Sequence, residues 1–99
     1  ELEKIRIQSL TNILVVKTKM KEWKDVIEMS EKAIEFEPEN VKALFFRAKA
    51  FLNLKEYDNA IELFHKVLKL DPEKKEAKKE LAVAKIELKK YNEKLKEMF

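Results

Sequence analysis

Apolar residues recur at helical spacing almost from end to end of the chain, and polar residues fill the positions between them. Ile5, Leu10, Ile13, Leu14 and Met20 predict a helix from about Leu2 to Met20. A second runs from Trp23 to Phe36 and is stopped by Glu37-Pro38, because the residue before a proline is pushed out of the helical region. A third covers Val41 to Asn53, with Asn40 placed to cap it by accepting from a free backbone N–H of the first turn. The fourth covers Tyr57 to Leu70 and ends at Asp71-Pro72. The turns at Lys21-Glu22 and Lys55-Glu56 contain no glycine, so one lysine in each is expected in an unfavourable backbone conformation. The last helix carries Ala77, Leu81, Ala84, Leu88, Tyr91, Leu95 and Met98 in alternating steps of four and three, a single apolar seam.

The pattern repeats with a fixed offset. Pro38 and Pro72 lie 34 residues apart, and Leu10 recurs as Leu44, Trp23 as Tyr57, Val26 as Ala60, Ala33 as Val67 and Phe36 as Leu70. A period of that length marks a supersecondary unit that cannot bury its apolar face alone and stacks on a neighbour. Residues 1–6 then extend the first helix, 7–40 and 41–74 are the two units, and 75–99 form a terminal helix that covers the open end of the second unit. That helix is longer than the stack needs, so Tyr91, Leu95, Met98 and Phe99 are expected to project from the stack or to pack on another chain or a missing domain.

Composition narrows the class. Ninety-nine residues with 41 % charged, 45 % apolar, no glycine and no cysteine describe one small helical domain without disulfides or a thiolate metal site. No apolar run approaches a membrane span, and the expectation is a cytoplasmic protein without a membrane partner. The net charge of +3 belongs entirely to residues 73–99, which hold nine lysines and six glutamates. Those charges alternate and carry no aromatic platform, which disfavours nucleic acid. A basic amphipathic helix of this kind is open to self-association or to calmodulin. No Ser–His–carboxylate set, phosphate loop or metal-ligand cluster is assembled by the sequence, His65 stands alone, and neither a cofactor nor catalysis is expected.

The register resembles the tetratricopeptide repeat (TPR). Leu44, Ala48, Phe51, Tyr57, Ala60, Phe64, Val67 and Pro72 carry the family pattern in the second unit. In the first, Leu10, Trp23, Val26, Ala33 and Pro38 fit, while Leu14 replaces a small residue and Lys17 and Ser30 replace aromatics. The resemblance implies an all-α helical-hairpin solenoid of two repeats with a long C-terminal capping helix, and an array that a further repeat would precede. It also implies that the first helix of each repeat lines a concave groove. Carried over by position, that groove holds Gln8, Thr11, Asn12, Val15, Thr18 and Lys19, then Lys42, Phe45, Phe46, Lys49, Leu52 and Asn53.

A narrower likeness lies in Ser9-Leu10-Thr11-Asn12-Ile13-Leu14 and Lys42-Ala43-Leu44-Phe45, which look like the last two repeats of co-chaperones that bind the C-terminal Glu-Glu-Val-Asp of heat-shock chaperones. The resemblance implies that Asn12 and Lys42 hold the terminal carboxylate, with Gln8, Val15, Phe45, Phe46 and Lys49 along the acidic peptide. Where most immunophilin clamps have arginine, this chain has Phe46, and Arg47 falls one residue later, about 100° round the helix. The long Lys/Glu helix closing on Tyr91 and Glu97-Met98-Phe99 is similar to the C-terminus of FKBP- and cyclophilin-type immunophilins. That likeness implies a parent with a peptidyl-prolyl isomerase domain upstream, the activity then belonging to the parent and not to this chain.

Overall fold

The computed structural model describes residues 2–98, with side chains from residue 5 onward except Ile7, so Phe99 lies outside the described residues. Five helices follow one another: α1 (Leu2–Lys19), α2 (Trp23–Phe36), α3 (Val41–Asn53), α4 (Tyr57–Leu70) and α5 (Lys75–Met98). Each packs on the next, and α1–α3 and α3–α5 also touch, so the odd-numbered helices lie side by side along one face. This is the all-α helical-hairpin array with a long C-terminal helix that the periodicity predicts.

The local chemistry explains the boundaries. Asn40 Oδ1 accepts from the Ala43 N–H at 3.0 Å and caps α3, while Asn40 Nδ2 donates to Glu37 at 3.1 Å. The hairpin turns are alike. Glu22 N–H donates to Lys17 O and Glu56 N–H to Phe51 O, closing each first helix with the six-to-one bond of a Schellman motif. That motif requires a left-handed residue, and without glycine the duty falls on Lys21 (φ 59°) and Lys55 (φ 66°), as expected.

Two core clusters result. Leu14, Val26, Ala33, Ala43 and Ala50 fill the space among α1, α2 and α3. Leu44, Phe45, Ala48, Phe64, Val67, Ala77 and Ala84 lie among α3, α4 and α5. Ile34 and Phe46 pack against both and join the repeats. Ala43 and Ala50 let α3 approach α2 closely, and Ala77 and Ala84, 34 residues on, do the same for α5 against α4; all four are fully buried. Leu14, in place of a small residue, is also fully buried.

Two departures from the family pattern have structural explanations. The Lys17 ammonium bridges Glu22 at 2.6 Å and Asp25 at 3.2 Å, tying α1 to the start of α2 where an aromatic side chain would pack. Ser30, fully buried, donates its hydroxyl to Ile27 O at 2.9 Å and leaves room beside it for Arg47.

The far half of α5 runs past the stack, and Met98 is 71 % exposed. Tyr91 does not stand wholly clear. Its ring lies 6.2 Å from that of Tyr57, and with Leu95, Met98 and Lys55 it lines an open groove of about 530 Å³.

Candidate functional site

The face shared by α1 and α3 carries two parallel stripes at steps of four, three and four residues. On α1 the stripe reads Gln8, Asn12, Val15 and Lys19; on α3 it reads Lys42, Phe46, Lys49 and Asn53. Such spacing places each set on one side of its helix, and contact between α1 and α3 sets the two stripes next to each other.

Gln8, Asn12 and Lys42 are exposed, and Val15, Phe46 and Lys49 are half-buried. Among the described residues, the side chains of Asn12 and Lys42 make no hydrogen bond or ion pair. An amide donor and an ammonium are therefore available without the loss of an existing partner. Asn12 has two N–H donors and Lys42 three, a set chemically suited to a carboxylate. Phe46 supplies the apolar part: it packs near-perpendicular to Phe45, with ring centroids 5.8 Å apart, and against both core clusters, and remains partly exposed.

Three positions carried over to the groove lie instead in the interior. Phe45 is 4 % exposed: its ring meets Phe64 edge-on at 5.9 Å from beneath, and the Lys74 ammonium sits 4.8 Å above its centroid. The cation closes the opening that Phe45 would otherwise face. Leu52 belongs to the same cluster, and Thr18 is buried with its hydroxyl oxygen unpartnered. Thr11 turns its hydroxyl back to Gln8 O at 2.9 Å, and Asn53 donates to Lys49 O at 2.8 Å.

Arg47 is withdrawn from the face altogether. Its guanidinium donates to the backbone oxygen of Ile27 at 2.7 Å and lies 5.2 Å from the centre of the Phe51 ring. Sequence spacing shows that Arg47 is rotated away from the groove; its partner on α2 is visible only in three dimensions. His65 is exposed, as are Glu28, Glu31 and Glu35. No cluster of three metal-ligating side chains exists among the described residues, and no helix is long and apolar enough to cross a membrane.

Comparison with known proteins gives one family. The family model described as anaphase-promoting complex, cyclosome, subunit 3 matches residues 19–98, which takes in α2 to α5. This is a family of TPR-like repeats, and the match makes the domain one of TPR type. A search of curated proteins finds no match.

Proposed function

The chain belongs to the family described as anaphase-promoting complex, cyclosome, subunit 3, and on that footing we propose that it is a protein-interaction module whose concave face holds an extended peptide by its C-terminal carboxylate. Interaction modules of this type work by contact and not by catalysis. The observation that carries the reading is the pair of unengaged donors, Asn12 on α1 and Lys42 on α3, on a face whose only other accessible cation nearby on α3 is Lys49. Arg47 is already spent on Ile27 O. A carboxylate held there takes an amide N–H on one oxygen and a charge-assisted bond on the other. The accessible side of Phe46 then receives an apolar side chain just upstream.

The narrower form of the proposal takes the ligand to be the Glu-Glu-Val-Asp tail of a heat-shock chaperone and the parent protein to be a co-chaperone of the immunophilin kind. Its support is the sequence likeness around Asn12 and Lys42 and the Lys/Glu helix that follows.

The test is a titration, followed by fluorescence anisotropy, with a decapeptide ending in Glu-Glu-Val-Asp as the free acid and as the C-terminal amide. The acid should bind and the amide should not. Lys42→Ala should weaken binding by about 1.5–3 kcal/mol, the range for a hydrogen bond to a charged group. Equal affinity for acid and amide would remove the carboxylate from the mechanism. Strong carboxylate-dependent binding to a peptide of unrelated sequence, with none to this tail, would keep the groove and discard the chaperone.

A further inference from the structure

α5 stands in the array where the first helix of a third repeat would stand. Ala77 and Ala84 occupy on α5 the places that Ala43 and Ala50 occupy on α3, all four are fully buried, and α5 touches α3 as α3 touches α1. The two stripes of the concave face therefore continue on α5 at the same 34-residue offset, where they read Glu76, Glu80, Val83 and Glu87. All the glutamates of α5 before its projecting half fall on this one stripe. Lys75, Lys78, Lys85 and Lys89 lie on other faces, and Lys79 and Lys90 border it. A helix that is basic overall thus presents an acidic edge to the groove.

The charges on the two sides of this edge are unspent. Among the described residues no ion pair links Lys42 or Lys49 to Glu76 or Glu80, and Glu87 meets only Lys90, at 3.8 Å on the exposed surface, a contact of the kind worth little. Val83 (39 % exposed) and Ile86 (53 % exposed) stand beside these carboxylates as an open apolar strip. A long basic side chain matches both features, since its methylene stem covers apolar surface while its charged head reaches an acid.

Geometry fixes where along a ligand that side chain must lie. Packed helices sit about 8–10 Å apart, and an extended peptide advances about 3.3 Å per residue. Roughly three residues therefore carry a peptide from one stripe to the next. With its carboxylate between α1 and α3, it reaches α5 about four to six residues before its C-terminus. We infer that α5 is the third wall of the groove, and that its glutamates select peptides with a lysine or arginine at that distance from a free C-terminal carboxylate. The inference rests on the carboxylate reading of Asn12 and Lys42 and adds to it the charge of the upstream segment.

Two decapeptides with the same last four residues, one carrying arginine and one glutamate five positions before the end, test it on the full chain by anisotropy at low salt. The arginine peptide should bind roughly fivefold more tightly, the upper end for a partly exposed charge pair, and the gap should shrink in high salt. In a Glu76→Lys, Glu80→Lys variant with an unchanged helical circular-dichroism spectrum, the preference should vanish or reverse. If that variant unfolds, Glu76→Gln with Glu87→Gln should reduce the preference in the same sense. Equal affinities for the two peptides, with binding still abolished by amidation, would overturn the role of α5 and leave the carboxylate reading standing. Binding indifferent to amidation, or no binding by either peptide, would overturn both.

Discussion

The guanidinium of Arg47 on α3 donates to the backbone carbonyl of Ile27 on α2 at 2.7 Å, and so fastens the second repeat to the first. The bond exists because Ser30, one turn along α2, is small enough to admit the arginine. Arg47→Ala should destabilise the fold by about 1.5–3 kcal/mol, the range for a hydrogen bond to a charged group. Arg47→Lys should recover only part of this, since an ammonium lacks the planar fork that both donates to Ile27 O and stacks on Phe51. Urea denaturation measures the loss. Peptide affinity of the folded Arg47→Lys protein should match the parent, and a large drop would return Arg47 to the groove.

Thr18 contributes a buried hydroxyl oxygen with no partner among the described residues. Thr18→Val keeps the shape and removes the group whose desolvation is uncompensated. The variant should be more stable by about 1 kcal/mol, the low end of the cost of an unsatisfied buried polar group. A variant less stable than the parent by thermal melting would mean that the hydroxyl has a partner in solution.

Lys17 has its pKa raised above the ordinary 10.5, first by its hydrogen bond to Glu22 and next by that to Asp25. A group bound more tightly to its proton in the folded state stabilises that state below its unfolded pKa and loses the effect as pH rises through the folded one. Lys17→Met should therefore melt at a lower temperature than the parent at pH 7, and the difference should close as the pH rises past the ordinary lysine range. A gap that persists unchanged at high pH would show that Lys17 acts through its methylene packing instead.

Truncation after Lys90 removes Tyr91, Leu95 and Met98. It breaks the contact with Tyr57, at 6.2 Å between ring centroids, but leaves Ala77, Leu81 and Ala84 in the core. The expected loss is about 0.5–1.5 kcal/mol, the range for an aromatic pair beyond its buried area. A much larger loss in a sample shown to be monomeric by light scattering would mean that the far half of α5 supports the stack itself.

The elements were legible because local rules decide them. Helix limits at Trp23, Phe36, Val41, Asn53, Tyr57 and Leu70 follow from apolar period, from Pro38 and Pro72, and from the Asn40 cap, all of them short-range signals. The left-handed Lys21 and Lys55 were legible for the same reason: a tight helix–helix turn without glycine must place another residue there. The candidate face was legible only as a register. Gln8, Asn12, Lys42 and Lys49 are on it and reachable, whereas Phe45 is sealed by Phe64 and Lys74, residues 19 and 29 positions later in the chain.

The sequence by itself thus determined the helices and, through the recurrence of their apolar and proline positions, the 34-residue repetition, since each helix depends on residues within a turn or two of one another. The side that lines the groove came from the family resemblance. Only the tertiary structure decided which of those side chains remain open. Closure depends on groups brought together from distant positions: Lys74 over Phe45 and Ile27 against Arg47. The periodicity of a helix fixes the direction of a side chain, but its exposure is set by whatever packs across from it.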